Sequence, residues 1–137
     1  MIVIDAGALT DFLLGRPAAL EAVLNELVGR EHEPVHAPEL IEPETLNALR
    51  GLVRGGNISA ARAGEAVTDL ASFRLIRYPH APLRSRVWDL RDKLTAYDAS
   101  YLALAEALGA SALIAGDAAL VAHAVESLGQ ERVRPVG

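Results

Sequence analysis

The 137-residue chain has no cysteine, a single lysine and few aromatic residues, which make up 4% of the total. Without cysteine it forms no disulfide or zinc–thiolate site and offers no thiol nucleophile. No apolar run approaches about 18 residues, so no transmembrane helix is predicted. The N-terminus carries aspartates and lacks the basic start of a signal peptide. We therefore expect a soluble protein of the reducing cytoplasm, with no membrane association.

The hydrophobic content and the net charge indicate which kinds of protein this chain could be. Hydrophobic residues account for 51% of the chain, which predicts an aliphatic core for one domain spanning residues 1–137. The net charge is −5 despite twelve arginines. An acidic chain is a poor candidate for non-specific, charge-driven binding of nucleic acid. Arginine clusters beside bound cations can still hold a phosphate backbone.

Short apolar runs alternate with amphipathic stretches along the chain. The runs predict strands at 2–4, 34–38, 74–79, 111–115 and 132–136, with helices between them. This alternation predicts an α/β layer fold with a mainly parallel sheet. The stretch 81–94 is predicted to be one helix. It contains the only tryptophan, Trp88, for which a place in the core or in a dimer interface is favoured over base stacking, since no second aromatic accompanies it.

Acids stand where the predicted strands end. Asp5 directly follows the first strand, and Asp117 follows the run SALIA after one glycine. Asp98 opens the helix in LTAYDASYLALAEALG, and Glu44 lies in the helix after the second strand. Ligands of parallel α/β sheets bind at the carboxyl ends of the strands. The four acids are therefore a candidate site.

Each aspartate also has a structural explanation, because aspartate caps helix N-termini and meets the positive end of the helix dipole. Two observations of residue spacing favour a functional site over a purely structural role. Asp98 is in register with the apolar stripe of its helix, where Tyr101 and Leu102 follow at i+3 and i+4. Glu44 has no basic residue at helical contact spacing. Both acids thus differ from ordinary surface carboxylates.

Carboxylates gathered at one partly buried point raise one another's pKa unless a cation compensates them. Oxygen ligands with no cysteine or histidine nearby suit Mg²⁺ or Mn²⁺ rather than zinc. Such ions polarise phosphoryl oxygens and lower the pKa of a bound water. Phosphodiester hydrolysis is the reaction that this chemistry favours.

Four segments carry a resemblance that spans nearly the whole chain: MIVIDAGALTDFLLG, PELIEPETLNALR, LTAYDASYLALAEALGA and LIAGDAAL. In this order they closely resemble a PIN-domain ribonuclease of the VapC toxin type, from bacterial toxin–antitoxin pairs. The resemblance implies a PIN-like three-layer α/β/α sandwich and a Mg²⁺- or Mn²⁺-dependent endoribonuclease that hydrolyses RNA. It also implies a homodimer and inhibition by a cognate antitoxin.

The acids of that family carry over onto four positions, as catalytic residues and metal ligands: Asp5, Glu44, Asp98 and Asp117. Glu44 is preferred over Glu42 because the family places its acid two residues before the Leu-Asn-Ala-Leu segment, here at 46–49.

Two positions depart from the family pattern. Gly7 and Ala115 stand where many relatives have a hydroxyl side chain, which can orient a carboxylate or a metal-bound water. They support a second hypothesis, a catalytically weak PIN fold that mainly binds its antitoxin or RNA. A third, a phosphoacceptor receiver domain, is disfavoured because that class needs adjacent acids after the first strand and a lysine near the last.

Arg84 and Arg91 are seven residues apart on the predicted helix 81–94, and hence on similar faces. They are candidates for contacts with RNA phosphates or with an antitoxin. For exposed arginines, solvated surface charge is the more frequent explanation.

Overall fold

A computed structural model describes all residues, 1–137, and contains one five-stranded sheet. The strands are β1 (Ile2–Ile4), β2 (Val35–Pro38), β3 (Leu75–Tyr78), β4 (Ala112–Ala115) and β5 (Val133–Pro135). Their order is β3-β2-β1-β4-β5, and every neighbouring pair is parallel. All five strands lie in the segments predicted from sequence.

Seven helices connect the strands: α1 (Ala6–Leu13), α2 (Pro17–Leu27), α3 (Ile41–Arg54), α4 (Ala60–Ser72), α5 (Arg84–Asp89), α6 (Ala96–Leu108) and α7 (Ala118–Leu128). Helices α1–α4 contact one another, as do α5 with α6 and α6 with α7. Right-handed crossovers between parallel strands place the first group on one face of the sheet and the second on the other. The predicted three-layer α/β/α sandwich is confirmed.

The direction of the strand order reverses at β1. From β1 the chain first runs outward through β2 to β3, and then returns to the other side of β1 to form β4 and β5. Such a reversal opens a crevice at the carboxyl ends of the two central strands, here β1 and β4. Asp5 lies at this crevice, where its backbone N–H donates to the carbonyl of Ile114 at 2.9 Å.

The core is aliphatic, as expected. A cluster of 34 buried hydrophobic residues is built almost wholly from Ala, Leu, Val and Ile, and Tyr101 is its only aromatic member. Trp88 is 65% exposed, so a core position for it is wrong, while a place in a dimer interface stays a prediction. It projects from α5, a helix that buries none of its own residues.

The single helix predicted over 81–94 is also wrong. The segment begins as a 3₁₀ turn at Ala81–Leu83, continues as the six-residue α5 and then turns. Leu90 and Leu94 are both buried in that turn, which brings the chain back to Thr95, the N-cap of α6. Arg84 therefore begins α5, whereas Arg91 lies beyond its end.

None of the seven helices combines the length and the hydrophobicity that a bilayer-spanning segment needs.

Candidate active site

The four acids singled out by the sequence line one cavity at the carboxyl ends of β1 and β4: Asp5, Glu44, Asp98 and Asp117. The cavity has a volume of about 340 Å³, and its other walls are Ala6, Gly7, Ala48, Tyr101 and Gly116. Its lining contains no lysine, arginine or histidine. Four negative charges thus share one cavity without a basic side chain among them.

Asp5 is the most buried of the four, with 4% of its surface exposed. Its Oδ1 accepts from the N–H of Ala8 at 2.8 Å and caps α1. Its Oδ2 accepts from Gly116 at 2.9 Å and from Asp117 at 3.3 Å, which ties the end of β1 to the loop after β4. Burial raises the pKa of Asp5 above its ordinary value, although these N–H donors oppose the rise.

Gly116 permits this close approach. A Cβ at that position would lie 3.3 Å from the nitrogen of Ala8 and 3.4 Å from the carbonyl oxygen of Val136, tighter than most such contacts. A side chain at this position would therefore require the neighbouring backbone to shift by a few tenths of an ångström. Sequence reasoning placed Asp5 and Asp117 beside each other but did not identify the glycine that brings their segments together.

Glu44 reaches the cavity from the first turn of α3. The phenol of Tyr101 donates to its Oε1 at 2.6 Å. Tyr101 is 1% exposed, and its pKa is raised by burial first and then by this hydrogen bond and the negative charge of Glu44. Tyr101 was expected only as a member of an apolar stripe, so its role as donor to Glu44 was missed.

Glu42 belongs to a different environment. It pairs with the guanidinium of Arg77 on β3 and does not line the cavity. The two candidate glutamates on α3 are therefore separated in space, and the structure places Glu44 with the aspartates, in agreement with the preference for Glu44 drawn from sequence.

Asp98 stands in the first turn of α6, half-buried, and it is not the cap of that helix. Thr95 is the cap, because its hydroxyl accepts from the backbone N–H of Asp98 at 3.2 Å. The carboxyl group of Asp98 is thus free to face the cavity. Burial, followed by the negative charge of Asp117 and those of Asp5 and Glu44, raises the pKa of Asp98 to about 6.

Asp117 is exposed and caps α7, with Oδ1 accepting from the N–H of Leu120 at 2.9 Å. The structural explanation considered for the aspartates therefore holds for Asp5 and Asp117, and both also line the cavity. One carboxylate oxygen of each is engaged at a helix start. Capping and a role at the cavity do not exclude each other.

The donor set suits a hard divalent cation, since all four groups are carboxylates. No three acid or histidine side chains stand close enough together to hold one ion jointly in this conformation. The carboxylates instead surround an open space, and side-chain rotation would have to bring them onto a common ion. Burial is the first cause of the raised pKa of Asp98, and the negative charges of the other three carboxylates add to it, since no basic side chain lines the cavity.

Comparisons with known proteins agree with this fold and site. The model of the PIN domain family matches residues 2–126. The chain is 38% identical over 120 residues to Ribonuclease VapC9 of Mycobacterium tuberculosis, an alignment covering 85% of this chain and 86% of that protein. It is 39% identical over 124 residues to Ribonuclease VapC1 of the same organism, covering 88% of each.

A solved structure is similar as well. The crystal structure of PAE2754 from Pyrobaculum aerophilum superimposes with a TM-score of 0.64 and 28% sequence identity, covering 88% of this chain and 84% of that one. Sheet order, layers and acidic cavity thus define an α/β/α protein with a site at its topological switch point. The chain belongs to the PIN domain family, and the resemblance to its VapC-type members is confirmed.

Proposed function

We propose that this protein is an endoribonuclease that hydrolyses RNA phosphodiester bonds with the help of Mg²⁺ or Mn²⁺ held by Asp5, Glu44, Asp98 and Asp117. The observation that carries the proposal is the gathering of four carboxylates around one cavity without a basic lining residue. The VapC relatives are named ribonucleases, which supports RNA as the substrate.

The four acids have different tasks in this proposal. Asp5 is held rigidly by three backbone N–H donors and provides a fixed ligand. Glu44 is oriented by Tyr101, and a cation would stabilise the ionised form of Asp98, whose pKa is raised by burial and by the neighbouring carboxylates. A bound divalent ion supplies charge neutralisation at the scissile phosphate and a more acidic water. The protein's share is to position the ligands and to leave the cavity open to the strand.

The experiment is cleavage of a set of structured RNAs by purified, antitoxin-free protein in Mn²⁺, in Mg²⁺ and in EDTA. We expect cleavage with either ion, none in EDTA, and none by the Asp98→Asn variant. Equal cleavage by wild type and Asp98→Asn would show that the assigned site is wrong. Cleavage that persists in EDTA would refute the metal requirement.

Membership of the PIN domain family and the similarity to VapC ribonucleases also support a proposal about the partners. In this proposal the chain is the toxin of a type II toxin–antitoxin pair, inhibited by a cognate antitoxin, and it acts as a homodimer. Light scattering of the free protein should give twice the chain mass, and addition of the cognate antitoxin should stop cleavage. A monomer that cleaves at full rate would contradict the dimer.

A second candidate function, a catalytically weak fold that mainly binds antitoxin or RNA, is favoured by Gly7. A Cβ at this position would lie 3.7 Å from Oδ1 of Asp5, so a serine there would place a hydroxyl near the carboxylate. This chain lacks that group.

The Gly7→Ser variant separates the two functions. Its nearest contacts, 3.7 and 3.8 Å, are ordinary, so it should fold normally. If the lack of the hydroxyl limits catalysis, Gly7→Ser should cleave about tenfold faster at limiting Mn²⁺, the lower end of the roughly 10–100-fold range for groups that support metal ligands. Unchanged cleavage, with Gly7→Ala as control, would remove Gly7 as a reason for weak activity.

A further inference from the structure

A second cavity lies between α5 and the start of α6, outside the acidic site. It measures about 360 Å³, within the range of sites for small organic groups. Its lining consists of His80, Ala81, Arg84, Val87, Trp88, Arg91, Ala96 and Ser100. The walls are thus apolar, aromatic and basic, and no acidic residue contributes to them.

The charge of this pocket is unusual for a chain with a net charge of −5. Arg84 and Arg91 form no ion pair with any acid of the chain, whereas Arg86 on the same helix is paired with Glu106 at 2.7 Å. Two guanidinium groups at one apolar cavity are therefore available to an anion. This complementarity indicates an anionic ligand that also has an apolar or aromatic part.

The aromatic residues point the same way. Trp88, which is 65% exposed, is the aromatic residue that lines the pocket, whereas Tyr97, 64% exposed, does not line it. The guanidinium of Arg91 lies 4.6 Å from the centre of the Trp88 ring, and its Nη1 donates to the Trp88 carbonyl at 3.0 Å. This cation–π contact orders the indole at the cavity. A planar aromatic group with phosphates on either side fits such a surface.

The pocket and the acidic cavity are both lined by residues from the first two turns of α6. Ala96 and Ser100 line the pocket from one side of α6, while Asp98 and Tyr101 line the acidic cavity. At about 100° per residue these pairs lie on opposite sides of the same two turns, separated by roughly the 10 Å diameter of a helix. A strand that crosses the N-terminus of α6 would contact both.

We propose that this pocket binds an unstacked base of single-stranded RNA against Trp88, while Arg84 and Arg91 hold the adjoining phosphates, and that it determines where along the strand cleavage occurs. The proposal rests on the ribonuclease function proposed above. Stacking on an aromatic ring beside arginines is sequence-tolerant, because every base has a π face. The pocket therefore selects unpaired strands over duplexes and gives at most a modest base preference.

Trp88 is the only tryptophan of the chain, so its intrinsic fluorescence reports on this pocket alone. The first experiment titrates a short single-stranded RNA of mixed sequence into wild-type protein in EDTA, with electrophoresis to verify that the RNA stays intact. We expect saturable quenching, weaker quenching by a hairpin duplex, and loss of quenching with an abasic strand. Absence of quenching at RNA concentrations that saturate binding would overturn the proposal.

Variants then measure the contribution of each group by the anisotropy of labelled RNA. Trp88→Ala should weaken binding about five- to a hundredfold, the effect of losing one stacked base, and Trp88→Phe should restore most of it. Arg84→Gln and Arg91→Gln should each reduce the salt dependence of binding by about one phosphate contact. Arg132→Gln is the matched control, an exposed arginine outside the pocket that should change binding no more than any distant charge.

Cleavage assays distinguish failure of this proposal from failure of the proposed function. If both hold, Trp88→Ala raises KM and shifts the positions of cleavage while kcat stays nearly constant. Cleavage that is insensitive to Trp88, Arg84 and Arg91 would overturn the pocket and leave the nuclease intact. Quenching and weakened binding without any cleavage would support the pocket and contradict the nuclease. Quenching by an antitoxin peptide but not by RNA would overturn the proposal in favour of a protein-docking site.

Discussion

The acidic cavity and the basic, aromatic pocket are built on the two sides of the same turns of α6, with opposite charge. In the first, four carboxylates share a space without a basic neighbour. In the second, two arginines without an ion pair and an exposed tryptophan line a pocket that has no acidic residue in its lining. The net charge of −5 conceals this separation. Local charge is therefore the better guide to what each surface binds than the total.

The two regions also differ in how firmly their side chains are held. Asp5 and Asp117 are engaged by backbone N–H groups, and Glu44 is engaged by a buried phenol. The side chains of Trp88 and Arg91 are held mainly by the cation–π contact between them. The acidic site is therefore the more firmly held of the two, although its carboxylates must still rotate to share one ion, and the pocket is the more adaptable.

The largest effect should follow from removing a charge from the acidic cavity. Asp98→Asn and Glu44→Gln should each lower RNA cleavage by about a hundredfold or more, because even groups that only support metal ligands contribute up to that factor. The single-turnover rate of RNA cleavage in saturating Mn²⁺ measures this loss. Retention of wild-type cleavage by both variants would locate the chemistry elsewhere, and the adjacent basic pocket would then be the first place to look.

The next effect concerns stability in metal-free buffer. The pKa of Asp98 is raised from 3.8 to about 6, so the folded protein binds this proton more tightly than the unfolded chain. The stabilisation of the folded protein by the proton on Asp98 is fully present below about pH 4 and is lost as the pH rises through about 6. Without solvent screening, a pKa shift of this size corresponds to about 3 kcal/mol in the free energy of unfolding. Since Asp98 is half-exposed, we expect roughly 1–2 kcal/mol.

Urea unfolding in EDTA between about pH 4 and pH 7.5 measures this loss. Asp98→Asn should remove the part of the pH dependence that is due to this carboxyl, and near pH 7 it should be more stable than wild type without metal. Addition of Mn²⁺ should reverse the order, since only wild type retains the full ligand set. A less stable Asp98→Asn protein in EDTA near pH 7 would mean that Asp98 supports its helix rather than suffering repulsion.

A smaller effect is expected at the hydrogen bond between Tyr101 and Glu44. Tyr101→Phe removes one donor to a charged acceptor and should reduce stability by about 1–2 kcal/mol. It should also weaken the apparent affinity for Mn²⁺, because Glu44 loses the group that orients it. Mn²⁺ titration of cleavage separates the two consequences. A loss of stability with unchanged Mn²⁺ dependence would show that the phenol serves the core alone.

The smallest effect should come from Glu42→Gln. This change breaks a partly exposed ion pair with Arg77, which is worth about 0.2–1 kcal/mol, and leaves the cavity unaltered. Cleavage should remain near wild type, in contrast to Glu44→Gln two residues away. Equal losses from both substitutions would mean that the structure does not distinguish the two glutamates functionally.

Strand positions and the grouping of the acids were accessible from sequence because both follow from local patterns. Short apolar runs mark buried parallel strands, and the acids after them must meet at one edge of the sheet. The family resemblance then separated Glu44 from Glu42. The structure gives the physical reason, since only Glu44 reaches Tyr101, across 57 residues of sequence, while Glu42 turns to Arg77.

The basic pocket could not be predicted from local sequence patterns. The sequence predicts one helix over 81–94, with Arg84 and Arg91 on similar faces because they are seven residues apart. The helix ends at Asp89 because the chain turns to bury Leu90 and Leu94 before α6 begins. Arg84 and Arg91 nevertheless line the same pocket, because the chain turns after α5 and not because of helical periodicity, and Trp88 is exposed.

The most direct test of the central claim is a crystal structure of the protein grown with Mn²⁺, recorded so that anomalous scattering locates the ion. We predict a peak within the acidic cavity, with oxygens from Asp5, Glu44, Asp98 or Asp117 at about 2.0–2.6 Å, the range for hard divalent cations. The carboxylates should have rotated toward it. An empty cavity at saturating Mn²⁺, or an ion bound only elsewhere, would contradict the account.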